Sequence, residues 1–222
     1  AQYTFRHLPK DKKQLFTSDM IKNGYNEIFK AFNRIKEIPD LRRFLFAFFF
    51  YSAGVQTVIY LATIFAKKEL NFATGELILL VLILQLVAIG GAYLFSSLGT
   101  KKGNKFSILA MIAIWITICV GAYFTYDKLL FYVLAGFVGL VMGGIQSLSR
   151  ASYSMLLPQK DQDTTSYFSF YDVVYKSAIV GGTFIFGLVD NITNNMRYSV
   201  LTLAFLFIAG FYFMWQTKLP DK

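Results

Sequence analysis

Charge is scarce in this chain. Asp, Glu, Lys and Arg make up only 16% of its 222 residues, against about a quarter in an ordinary soluble domain. Hydrophobic residues make up 55%. Cysteine is nearly absent: Cys119 is the only one and sits inside an apolar run, which excludes a disulfide framework and a cysteine metal site. The single histidine, His7, cannot build a zinc site alone. Proline occurs four times, so long helices can run unbroken. No charged-then-apolar secretion signal opens the sequence. No phosphate loop, Ser-His-Asp set, HExxH or paired-carboxylate pattern stands out, so no enzyme, metal or cofactor is expected.

What charge there is falls unevenly. The formal net charge of +9 would point a soluble protein towards nucleic acid. Here the basic residues lie outside the aromatic-rich segments, which argues against nucleic acid and for cytoplasmic loops and anionic membrane lipid. Nearly half the Lys and Arg fall before residue 44.

Residues 1–41 read as a basic cytoplasmic linker, with Thr17 to Glu37 as an amphipathic helix. Ile21, Tyr25, Ile28, Phe29, Phe32 and Ile35 recur at three- and four-residue spacing. Such a helix lies on a membrane surface or packs against the ends of a bundle.

Six apolar segments follow, at about 43–66, 76–98, 106–126, 129–157, 166–190 and 199–217. Each is near or above the ~20 residues that cross ~30 Å of hydrocarbon. Lipid cannot hydrogen-bond a bare backbone, so these segments are expected to be helices. The fold class is an all-α membrane protein of six transmembrane helices, with the transmembrane domain over 42–217 and a tail at 218–222. Of the 22 Lys and Arg, all but Lys67, Lys68, Lys128, Arg197 and the deep Lys176 fall on the side of the leader. The positive-inside bias then puts both termini in the cytoplasm.

The stretch from Gly136 to Pro158 is the most informative. Gly136, Gly139, Gly143 and Gly144 form a small-residue stripe of the kind that lets helices pack closely. Gln146 and Arg150 follow, four residues apart on one face. The next helix starts from the same side and carries Tyr171, Asp172 and Lys176. Counted from Ser166, Asp172 lies ~9 Å and Lys176 ~15 Å deep, where charges need partners or water. Two readings stand. Asp172, Lys176 and Arg150 line a translocation path, or Asp172 locks to Arg150 or Lys176 as a structural clasp. Gln56 and Gln85 fall at mid-depth as further polar lining. Glu76 and Asp190, at helix ends, are expected to be solvated.

GGIQSLSRASYSMLLP (143–158) and YFSFYDVVYKSAIVGGTFIFG (167–187), with the basic turn Gly99–Lys105, carry a resemblance. They resemble the C-terminal six-helix half of the major facilitator superfamily. Within it they look like the bacterial "unknown major facilitator" group, related to the fungal autophagy-related vacuolar amino-acid effluxers. Gly143, Gly144, Gln146, Ser147, Ser149, Arg150, Phe170, Tyr171, Asp172 and Lys176 match that pattern, while Thr183 stands where the pattern has Pro after Gly182.

The resemblance implies a half-bundle that transports a small-molecule solute, amino acids among them, by alternating access in a bacterial inner membrane. Within such a transporter, the depth of the charged pair beside the glycine-rich helix makes Gln56, Gln85, Asp172 and Lys176 the substrate-binding or coupling candidates, with Gln146 and Arg150 at a cytoplasmic gate. It also implies that the leader is the linker to an N-terminal six-helix half, in keeping with a chain that does not open on Met. The rival reading is a non-transporting membrane scaffold or regulatory subunit. There the leader docks a partner or lipid, and the isolated half pairs with a second copy.

Overall fold

The computed structural model describes residues 29, 32–158 and 164–220. Most of the amphipathic segment Thr17 to Glu37, with His7 and Lys160, lies outside the described residues; 32–37 are helical. Six long helices follow. They are α1 (Pro39–Leu70), α2 (Thr74–Lys102), α3 (Asn104–Tyr123), α4 (Lys128–Leu156), α5 (Thr164–Thr193) and α6 (Met196–Gln216). All six are long and apolar enough to cross a membrane, with mean hydropathy from 1.4 to 2.6 over their most apolar windows.

The helices overrun the apolar segments at most of their ends, because caps rather than charges stop them. Pro39 starts α1 at a position where its missing N–H loses nothing. Asn71 and Asn194 take left-handed backbone at the turns after α1 and α5 (φ 51° and 49°). Glu76 Oε2 accepts from the Ala73 N–H at 2.7 Å, closing the first turn of α2. A single residue, Gly103, separates α2 from α3, and its φ of 87° explains why glycine is needed there. The Asp127 carboxylate accepts from the amides of Leu129 and Leu130 to start α4. Three connections are therefore shorter than the sequence implied, with only 71–73 joining α1 to α2, 103 joining α2 to α3 and 194–195 joining α5 to α6, whereas 124–127 between α3 and α4 is longer. α5 runs unbroken through Thr183, whose hydroxyl donates to the Ile179 carbonyl at 2.7 Å.

The packing has an internal two-fold pattern. α1 lies against α5 and α6, as α4 lies against α2 and α3, and α3 packs on α6. Exchanging the first three helices for the last three preserves this map. α1 is the most buried helix, whereas α2 and α5 leave most of their apolar surface uncovered. Leu82, Leu86, Ile89 and Tyr93 stand out along α2, and Val180 and Phe184 along α5.

Small residues set the tightest crossings. A Cβ on Gly91 would fall on the Leu140 carbonyl, one on Gly139 would come 2.8 Å from the Leu84 carbonyl, and one on Gly143 would come 2.7 Å from the Ala88 carbonyl. These contacts hold α2 against α4. Gly182 does the same for α5 against Ala53 and Thr57 of α1. Gly144 faces Phe95, while Gly136 faces open space and holds no crossing.

Candidate functional site

The two ends of the bundle differ. At one end the chain begins and ends its membrane domain, and the Lys218 amide donates to Asp40 Oδ1 at 3.0 Å. At the other, three ion pairs tie helices together. Lys68 of α1 meets Asp190 of α5 at 3.7 Å, Lys128 of α4 meets Glu76 of α2 at 2.7 Å, and Arg197 of α6 meets Glu69 of α1 at 3.1 Å. Glu76 and Asp190 are thus partnered rather than simply solvated. Arg197 is the strongest of these anchors. It is 7% exposed, donates to the Tyr123 carbonyl at 3.2 Å and to the Thr125 carbonyl, and lies 4.1 Å from the Tyr126 ring centroid. Its five donors suit it to bridging a carboxylate and two carbonyls at once.

Between those ends, α1, α4 and α5 enclose a concavity of about 150 Å³. Helical spacing builds it. Phe48, Tyr51, Ser52, Val55 and Gln56 share one face of α1; Ile145, Gln146, Ser149 and Arg150 share one face of α4; Tyr171, Asp172 and Tyr175 come from α5. Its floor is a hydrogen-bonded relay. Ser149 Oγ donates to the Ile145 carbonyl, which leaves the Tyr51 hydroxyl to donate to Ser149 Oγ at 2.7 Å. Rings form the flank: Phe48 stacks on Tyr171 at 4.2 Å between centroids, and Tyr153 tilts against Tyr171 at 4.8 Å. Tyr153 also donates to the Tyr167 carbonyl at 2.7 Å, fixing α4 to the start of α5.

Four residues singled out in the sequence meet here: Gln56, Gln146, Arg150 and Asp172. Gln56 is buried, whereas Gln146, Arg150 and Asp172 stand at the open side. Because α5 begins at Thr164, Asp172 lies ~12 Å from its start and Lys176 ~18 Å, somewhat deeper than the count from Ser166. Asp172 forms no ion pair within 4 Å with either Arg150 or Lys176 among the described residues, so neither arm of the expected clasp is closed. The Arg150 guanidinium sits 5.4 Å from the Phe168 ring centroid, a contact that leaves its donors available. Lys176 and Gln85 are exposed and do not line the concavity.

Sequence reasoning missed Tyr51 and Ser52 of the lining. The signal was present, since Ser52 and Gln56 are spaced i, i+4 within an apolar run. The Arg197 anchor was missed as well, because a single basic residue near a helix end reads as an ordinary loop charge.

The concavity presents opposite charges, amides and aromatic rings to a small polar molecule, with no group of three or more His, Cys, Asp or Glu placed to hold a metal among the described residues. The sequence model of one family, described as "Vacuole effluxer Atg22 like", matches residues 1–221. The chain belongs to that family. The Atg22-like family is one of transporters, not of enzymes. Among curated relatives, an uncharacterized MFS-type transporter, YxiO, of Bacillus subtilis is 29% identical over 188 residues, which is 85% of this chain and 43% of that protein. Autophagy-related protein 22 of Vanderwaltozyma polyspora is 29% identical over 212 residues, 90% of this chain and 40% of its own. The same-named protein of Cryptococcus neoformans is 30% identical over 211 residues, 87% and 38% respectively. The chain therefore spans about two-fifths of the length of these relatives. Membership and the six apolar helices together make this an integral membrane protein of an MFS-type transporter family.

Proposed function

We propose that the chain is the C-terminal half of a secondary transporter that moves an amino acid, or another small zwitterion, by alternating access. The observation that carries this reading is the pair of opposite charges, Arg150 and Asp172, without an ion-pair partner among the described residues and lining one concavity with buried Gln56. A charge at membrane depth costs at least ~2.5–3.5 kcal/mol unless partnered or hydrated. Two such charges left apart are explained by a ligand that carries both complements. In this reading the guanidinium takes the carboxylate and the Asp172 carboxylate takes the ammonium, with Gln56 adding a hydrogen bond.

The remaining length of the relatives leaves room for the other six helices. The uncovered faces of α2 and α5, with Gln85 and Lys176, then meet that half. The end holding Asp40 and Lys218 faces the cytoplasm in this reading, which the distribution of Lys and Arg supports. Arg150 and Gln146 sit nearer that end than Gln56, and so also serve the cytoplasmic gate.

Transport by the full reading frame in proteoliposomes tests the assignment. Asp172→Asn and Arg150→Gln are each expected to lower kcat/KM for neutral amino acids by at least about tenfold, the loss of ~1.4 kcal/mol from one charge-assisted contact. Unchanged transport in both variants removes the site assignment.

A further inference from the structure

A second concavity lies on the other side of α1, outside the transport path proposed above. It is an open groove of about 370 Å³ between residues 32–36, the first half of α1 and α5. Its walls are apolar, with Phe46, Phe49, Phe170 and Val174 prominent, and Phe46 is 51% exposed. Only two of its lining side chains are polar, the exposed Lys36 and Arg42. Neither is paired with an acid among the described residues. Asp40 is engaged by Arg43 at 3.5 Å and by the Lys218 amide, and Glu37 does not line the groove. Lys36 is held over the Phe32 ring at 4.2 Å, a contact that leaves its ammonium donors free.

The polar groups are confined to one end, and the spacing matches a membrane leaflet. Arg42 lies ~5 Å along α1 from Pro39, and the wall residues 45–50 lie ~9–17 Å along it. Phe170 and Val174 stand ~9 and ~15 Å along α5. The apolar run of α1 starts near residue 43, so Arg42 sits where head groups begin and the wall residues 45–50 lie ~3–11 Å further in, within the ~15 Å of one leaflet's hydrocarbon. An extended peptide segment would bring backbone amides and carbonyls that this wall cannot satisfy. A molecule with an anionic head and an unbranched apolar tail leaves nothing unpaired.

We infer that this groove is a binding site for an anionic phospholipid, with its phosphate on Lys36 and Arg42 and an acyl chain along the phenylalanine wall. The lipid then braces the segment 32–37 against α1 and α5.

A tryptophan reporter in the groove tests this. The full reading frame carrying Phe49→Trp is placed in nanodiscs containing either brominated phosphatidylglycerol or brominated phosphatidylcholine. The fluorescence added over the parent protein is followed against mole fraction; Phe46→Trp serves the same reading if Phe49→Trp does not fold. Half-quenching by phosphatidylglycerol is expected at a mole fraction on the order of tenfold lower than by phosphatidylcholine, the preference two interfacial cations supply. Lys36→Gln with Arg42→Gln is expected to abolish that preference. Equal quenching by the two lipids overturns the proposal, as does a preference that survives in the double variant. A reporter that neither lipid quenches overturns it too, since the groove is then filled by protein, whether the leader, another domain or a second copy.

Discussion

Arg197 shows what one side chain holds in place. Its guanidinium reaches Glu69 on α1 and the carbonyls of Tyr123 and Thr125 at the turn after α3, so three parts of the bundle depend on it. Arg197→Met leaves a half-buried carboxylate and two carbonyls unpaired. The expected loss is about 3 kcal/mol of stability, read as a lower melting temperature in detergent. Arg197→Lys is expected to recover little, because one ammonium cannot reproduce the guanidinium fork. At this scale legibility was mixed. Gln56, Gln146, Arg150 and Asp172 stood out because amides and charges are costly inside apolar runs. Tyr51 did not, since tyrosine occurs in membrane helices for many reasons, and Ser149 entered only through the family pattern. Their shared hydrogen bond spans 98 positions of sequence.

At the level of elements, existence was legible and ends were not. An apolar run ends at the first charges, but a helix continues until a cap stops it. Lys101 and Lys102 therefore belong to α2, and Gly103 ends it. Helix partners were also hidden. The glycine stripe on α4 was visible, but its mates on α2, and the tight contact of Gly91 with Leu140, require the other helix to be in place. The contrast predicts two different outcomes for one chemical change. Gly91→Ala forces a methyl onto a backbone carbonyl and is expected to cost about 2 kcal/mol or more, with loss of folded protein in detergent. Gly136→Ala meets nothing and is expected to stay within about 1 kcal/mol of the parent, on the stabilising side if helix propensity dominates. Size-exclusion recovery after a heat challenge distinguishes the two.

For the whole molecule, the even number of spans already implied that both ends of the membrane domain share a side, and the bond between Lys218 and Asp40 is the structural counterpart. What composition could not convey was where the open surface lies. The central polar concavity, the uncovered faces of α2 and α5 and the phenylalanine groove arise only once six helices are packed. The proposed account makes the concavity a hydrated, substrate-binding part of a transport path. Cys119, the only cysteine in this chain, is buried, so once any cysteines in the rest of the reading frame are replaced by serine, a single introduced thiol can be read cleanly. Gln56→Cys, Gln146→Cys and Phe205→Cys, the last on the exposed apolar face of α6, are compared in the full reading frame for reaction with a charged, membrane-impermeant thiol reagent. Gln56→Cys and Gln146→Cys are expected to react, a transported amino acid to slow them several-fold, and Phe205→Cys to stay unlabelled. If the thiols at 56 and 146 are as inert as that at 205, or react at the same rate with and without substrate, the concavity is not the transport path.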